Sequence, residues 1–225
     1  QLIRRLNQTQ DATTQLVAMR HDLLRLLDQK PDLAKLDIDF KNLFTTWFNR
    51  GFLVLRPINW GSPAHILEKI ISYESVHAIK SWDDLRRRLQ PDDRRGFAFF
   101  HPAMPDEPLI FVEVALTRGT PNSIQTILSE THRSLAAADS DTATFYSISN
   151  CQAGLAGISF GNSLIKTVVQ HLLRDLPQIK TFVTLSPIPG FVKWLHETNQ
   201  FEESPNPQTL LPLAAHYLLK AKHLS

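Results

Sequence analysis

The sequence predicts an α+β protein in which a helical N-terminal region precedes a mixed sheet, and three observations predict it. Apolar residues recur at helical spacing through residues 1–49. After Gly51 the texture changes to short β-rich runs separated by turns and amphipathic stretches. Between 142 and 185 a strand, a glycine-bearing loop, an amphipathic helix and a second strand follow one another, the order of a parallel β–α–β crossover. The boundary falls at 49/50, giving a helical domain over 1–49 and a sheet domain over 50–225.

In the first domain Leu2, Leu6, Leu16, Met19, Leu23, Leu24, Leu26 and Leu27 lie at roughly helical intervals among charges. Lys30-Pro31-Asp32 interrupts the pattern, and a second helix runs through Phe40, Leu43, Phe44, Trp47 and Phe48. Exposed apolar helix faces tend to pair, so this region reads as a packing or oligomerisation module. Residues 52–57 form a strand, and Ser62-Pro63 opens a helix as N-cap and first-turn proline. Ser81 and Asp84 have the spacing of a capping box. Residues 95–101 and 109–117 are strands joined through a Pro-Asp-Glu-Pro turn, hence an antiparallel hairpin. Residues 121–130 read as helical and 131–141 as a polar loop. The strand over 142–149 then leads through the loop to a helix over 162–175. Its residues Leu164, Ile165, Val168, Val169, Leu172 and Leu173 face inward, and 181–185 returns as a strand.

Composition narrows the function classes. A chain of 225 residues that is 43% hydrophobic can bury one good core with a helical appendage. Lys plus Arg number 24 against 22 Asp plus Glu, a balance with no footprint for nucleic acid but room for a modestly basic site around an anion. The single cysteine, Cys151, excludes an internal disulfide framework or a multi-cysteine metal site and suits a reducing, cytoplasmic setting. No apolar run approaches membrane-spanning length, and the first residues form no signal peptide. The chain starts and stops within helical patterns, from which sequence missing at both ends is expected.

Two segments carry chemistry. The loop from Gln152 to Gly161 brings Gly154, Gly157 and Gly161 to a helix start, where main-chain N–H groups and the helix terminus can grip a pyrophosphate. A plain β–α turn in which glycines relieve crowding is the alternative. Ser186 ends its strand before Pro187 and Pro189, which forbid the strand from continuing, and Gly190 lets the chain turn into the next helix. No nucleophile-elbow pattern surrounds Ser186. Its hydroxyl can donate to a carboxylate or a developing oxyanion, or it can simply finish the strand with a turn bond. Ser147 and Ser149 share one face of the neighbouring strand and can line the same cleft or be satisfied within the sheet. His77, His101, His196, His216 and His223 do not cluster at metal spacing. The run Arg86-Arg87-Arg88 reads as a solvated helix face, and Lys166, Arg174 and Lys193 as possible phosphate partners.

Several blocks together resemble the malonyl-CoA decarboxylase family: Thr46-Trp-Phe-Asn-Arg-Gly-Phe52, Tyr73-Glu-Ser-Val-His77, Trp82-Asp-Asp-Leu-Arg-Arg-Arg88, Phe145-Tyr-Ser-Ile-Ser149, Gly154-Leu-Ala-Gly157 and Leu185-Ser-Pro-Ile-Pro-Gly-Phe191. The resemblance covers nearly the whole chain and looks closest to bacterial members. It implies a partial helical oligomerisation domain (1–49), forming a homo-oligomer such as a dimer or tetramer. It also implies an acyl-CoA-binding catalytic domain (50–225) of N-acetyltransferase-like (GNAT) fold with its C-terminal part missing. The implied reaction turns malonyl-CoA into acetyl-CoA and CO2 with no metal and no cofactor beyond the CoA thioester.

By this resemblance Ser186 is a principal catalytic residue, with Ser147 a further candidate. Ile148, Ser149 and the loop Ala156, Gly157, Ile158, Ser159, Phe160, Gly161 and Asn162 bind the CoA substrate, with pantetheine between the strands ending near Ser149 and Ser186. Ser159 stands where some relatives carry a glutamate. The family's catalytic histidine belongs to a His-Leu-Gln/Gly-Asn-Gly type block that this chain, ending at Ser225, does not contain. His216 and His223 precede that position and do not substitute for it. Two other readings remain: an acyl-CoA-dependent N-acyltransferase on the same platform, and a non-catalytic CoA-binding or oligomerisation fragment.

Overall fold

In the computed structural model, residues 2–9, 11–158, 161–188, 190 and 193–194 are described, with Leu2 and 161–163 described by backbone alone. The chain divides into two compact units, Gln1–Ser186 and Pro187–Ser225, and every element named below lies in the first. Of the residues singled out in the sequence, His196, His216 and His223 lie outside the described residues, as do Ser159 and Phe160.

The N-terminal region folds as α1 (Leu2–Leu6), α2 (Ala12–Leu26) and α3 (Ala34–Trp47), with Pro31 starting a single 3-10 turn where the helical pattern breaks. One stripe of these helices is buried: Leu16, Val17 and Leu23 of α2 meet Phe40 and Phe44 of α3, with Phe48 just beyond. Leu6, Met19 and Leu26 instead remain exposed, because their positions fall off that stripe.

The sheet runs β1 (Val54–Ile58), β2 (Arg94–Phe100), β3 (Ile110–Thr117), β4 (Thr142–Asn150) and β5 (Thr181–Thr184), in that spatial order. The first four strands pair antiparallel, and β4 and β5 pair parallel, as the crossover pattern requires. Helix α7 (Gly161–Asp175) makes the crossover and covers one face with Leu164, Val168 and Leu172, while Leu173 points to solvent. Helices α4 (Ala64–Tyr73) and α5 (Trp82–Leu89) cover the other face over Ala98, Phe100 and Phe111. Alternation along β2 and β3 divides their side chains between these two cores.

Local details depart from the sequence reading in three places. Ser62 does not cap α4; its Oγ accepts from Asn59 N–H, and Pro63 occupies the cap position. Ser81 does cap α5, accepting from Asp84 N–H at 3.1 Å, but Asp84 reaches back to Lys80 N–H rather than to Ser81. The helix expected over 121–130 contracts to α6 (Ile124–Leu128), since Pro121 and the serines at 123 and 129 leave only a short apolar turn.

Candidate active site

The parallel pair is short, and that shortness shapes the end of the sheet where Ser186 leaves it. β4 and β5 stay in register only from Thr142↔Thr181 to Phe145↔Thr184, with a last bond from Leu185 N–H to Phe145 O at 2.8 Å. β4 continues to Asn150 without its neighbour, so a wedge opens past Tyr146. A register shift between Glu113 and Val114 of β3 leaves Tyr146 as the extra residue of a bulge, and this local kink falls at the mouth of the wedge. Extending the register two residues would put Ser186 level with Ser147, but the strands no longer pair there. Ser186 itself is exposed, and among the described residues its hydroxyl has no partner.

The serines of β4 are in the opposite situation. Ser147 and Ser149 are each 1% exposed, and both donate to Glu74, Ser147 at 2.8 Å and Ser149 at 3.0 Å. Glu74 also accepts from the N–H groups of Val76 (2.9 Å) and His77 (2.8 Å), and Ser75 N–H donates to Ser149 Oγ at 3.2 Å. The loop between α4 and α5 is thereby tied to the unpaired half of β4. Ser147 and Ser149 have no hydroxyl proton left for a ligand, since each carries only one. The side chain of Ile148 packs on the α7 side of the sheet.

Behind Glu74 lies a second buried acid. Glu113 is fully enclosed, and burial, with Glu74 as a further negative neighbour, pushes its carboxyl up to about 8 despite the Arg88 guanidinium. Arg88 is buried as well, against the expectation of a solvated face for the whole arginine run. It donates to His77 O at 2.6 Å, Ala78 O at 3.2 Å, Asp84 at 3.1 Å and Glu113 at 3.4 Å. Tyr146 faces Glu113, and this burial beside an acid raises its phenol well above the ordinary value. Glu113 Oε1, Tyr146 Oη and His77 Nε2 are buried without hydrogen-bond partners among the described residues. His101, by contrast, is a satisfied structural group: Nδ1 accepts from Ala103 N–H, so Nε2 carries the proton and donates to Trp47 O at 3.1 Å.

The glycine loop is built on the N-terminal helices. Leu155 and Ile158 are buried among Leu16, Val17, Phe40 and Phe44, so Ile158 is a core side chain. Gly154 is fixed by α2 rather than by space for a ligand, because a methyl group there would lie 1.9 Å from Val17 O. Arg20, fully buried, donates to Gly154 O at 2.7 Å and to Asp37 at 2.8 Å. Gly157 has φ +74°, a conformation that glycine adopts without strain. The N–H groups of Leu155, Ala156 and Ile158 donate within the loop, which leaves that of Gly157 without a backbone partner among the described residues. Gly161 begins α7, and Asn162 follows it there.

Sequence reasoning missed Glu74, Glu113 and Arg20. Each acts across a fold contact with no local spacing to mark it; Arg20 and Gly154 are 134 positions apart. Cys151 is a buried free thiol, and burial pushes its ionisation far up, so it behaves as a small core residue. No group of three or more metal-ligating side chains occurs among the described residues, and no helix there is long and apolar enough to cross a membrane.

The architecture is that of a mixed α/β protein whose β–α crossover loop is seated on a helical N-terminal module. Comparison with known families gives that arrangement its place. Residues 1–48 match the malonyl-CoA decarboxylase N-terminal domain and residues 51–223 the malonyl-CoA decarboxylase C-terminal domain. The chain belongs to the malonyl-CoA decarboxylase family. It is 46% identical over 187 residues to the mitochondrial malonyl-CoA decarboxylase of Anser anser anser, covering 80% of this chain and 37% of the relative. It is 42% identical over 190 residues to that of Mus musculus, covering 80% and 38%. The crystal structure of malonyl-CoA decarboxylase from Rhodopseudomonas palustris superposes with a TM-score of 0.84 at 56% identity, covering 92% of this chain and 51% of that one. The enzyme from Agrobacterium vitis gives 0.82 at 56%, covering 93% and 52%. The chain thus spans well under half the length of the curated relatives and about half that of the crystallised ones.

Proposed function

We propose that this chain forms part of a malonyl-CoA decarboxylase, a carboxy-lyase that converts malonyl-CoA to acetyl-CoA and CO2 in malonyl-CoA turnover and fatty acid metabolism. The observation that carries the reading is the exposed Ser186, without a hydroxyl partner among the described residues, at the mouth of a wedge between parallel strands, in a chain that matches both domains of the family. The thioester arm lies in that wedge, and the loop from Ala156 to Asn162 takes the CoA diphosphate.

Decarboxylation breaks the bond between the carboxylate carbon and the α-carbon. The electron pair passes to the thioester as an enolate, and a proton then closes the α-carbon. A donor aimed at the thioester oxygen stabilises charge that develops only in the transition state, and Ser186 is such a donor without any change in its own ionisation. Ser147 and Ser149 support the wedge wall from behind rather than touching substrate. Proton delivery falls to a histidine of the family block that this sequence does not contain. The reaction needs no metal or organic cofactor, because the thioester itself accepts the electron pair. The half-buried helical surface with exposed Met19, Leu26, Leu36 and Ile38 serves as a homo-oligomer contact, and the single reduced thiol suits a cytoplasmic enzyme.

The test is incubation of the whole protein with malonyl-CoA, following CO2 and acetyl-CoA together. Equimolar release of both is expected. No release, or acetyl transfer from acetyl-CoA to an amine in a parallel assay, would overturn the assignment in favour of an acyltransferase.

A further inference from the structure

We infer that Lys41, on the N-terminal helix α3, is a phosphate-binding residue of the acyl-CoA site; the inference rests on the reading of the Ala156–Asn162 loop as the CoA diphosphate loop. Three observations converge on it. A methyl group at Gly157 would lie 3.4 Å from Lys41 Cε and 3.8 Å from Nζ, so the lysine stands directly over the bare backbone of the loop. The N–H of Gly157 has no backbone partner among the described residues, so an anion seated there would meet an N–H donor and an ammonium together.

Charge counting supplies the third. Asp37 faces two cations: Arg20 holds Oδ1 at 2.8 Å and Lys41 approaches Oδ2 at 3.4 Å. One carboxylate cannot neutralise both, and the triad keeps a net positive charge beside the loop. The Arg20–Asp37 pair is buried and also grips Gly154 O, so it is a fixed part of the structure. Lys41 has its side chain 47% exposed and its bond to Asp37 is long, so that pair contributes little and leaves the ammonium available to a ligand. Arg50 adds another cation along the crossover helix, its Nη2 3.5 Å from Thr167 Oγ1. A phosphate group is the ligand that this combination fits.

The experiment measures binding of CoA, 3′-dephospho-CoA and pantetheine to the whole protein by calorimetry, for wild type, Lys41→Ala and Lys41→Arg, with thermal melts as a folding control. Lys41→Ala is expected to weaken CoA about tenfold, the loss of one charge-assisted contact. It should leave pantetheine unchanged, and Lys41→Arg should restore most of the affinity. An equal loss with 3′-dephospho-CoA locates the contact at the diphosphate, whereas a loss confined to CoA locates it at the 3′-phosphate. Unchanged CoA affinity in Lys41→Ala, or an equal loss for pantetheine, overturns the inference. Binding is read apart from turnover: Lys41-dependent CoA binding without CO2 release would keep this contact and refute only the decarboxylase. CO2 release together with CoA binding that ignores Lys41 would do the reverse.

Discussion

The ends of β4 and β5 carry the same side chain in opposite circumstances. On β4, Ser147 and Ser149 are buried and donate their protons to Glu74. On β5, Ser186 emerges past the last paired residue into the open. What separates them is the partner behind each hydroxyl rather than the residue type. A serine backed by a buried carboxylate is a structural tie, whereas one that leaves the sheet before a proline has no such carboxylate to hold its proton. The proposed site uses both kinds: one strand anchored to the α4–α5 loop, the other free to present a donor.

The sharpest way to break this contrast is Ser186→Ala. If Ser186 stabilises charge in the transition state, kcat for CO2 release should fall about 100-fold or more, with CoA affinity and melting temperature nearly unchanged. Wild-type turnover in that variant would show that the exposed serine is as passive as the buried ones.

The anchored side has its own signature in pH. Glu113 keeps its proton to about 8 in the folded chain, against an ordinary value of 4.5. Between those values the native state binds a proton that the unfolded chain has released, so stability is full below about 4.5, falls as pH rises and has lost this contribution above about 8. The slope from this one group is at most about 1.4 kcal/mol per pH unit. Urea denaturation of Glu113→Gln from pH 5 to 8.5 should therefore be flatter than that of wild type. Parallel curves would mean that Glu113 is ionised and fully paired with Arg88.

A smaller loss is expected for Glu74→Ala, which strands two hydroxyls and two N–H groups in a buried place. About 2 kcal/mol of stability should go, and KM for malonyl-CoA should rise as the wedge wall loosens. A variant as stable as wild type would show that the serines are satisfied some other way.

How much of this was legible in the sequence follows from how local each signal is. The strands from Arg94 to Thr117 and the crossover from Thr142 to Thr184 were readable because period and turn chemistry act over a few residues. The exit of the chain from β5 at Ser186 was readable for the same reason, as its prolines are its neighbours. Arg88 was not: three arginines in a row look solvated, and only the approach of β3 and the α4–α5 loop buries the third. Gly154 was left open between room for a ligand and relief of crowding, and the structure decides for crowding. The backbone of α2, far away in sequence, takes up the space beside it. Glu74 lies in a block that resembles the family but its role gave no local signal, since a glutamate at a helix end is ordinary until the serines that it serves are folded against it.

Ser147→Ala is the mildest change and the most discriminating. It removes one donor from a carboxylate that keeps Ser149 and two backbone N–H groups, so about 1 kcal/mol of stability should be lost. Turnover should stay within a few-fold of wild type, because the proton of Ser147 points at Glu74 and not at the thioester. If Ser147→Ala instead lost activity on the scale of Ser186→Ala while keeping its stability, the hydroxyl would have to leave Glu74 when substrate arrives. The two strand ends would then be a catalytic pair, and Glu74 the group that holds one member back until the wedge is filled.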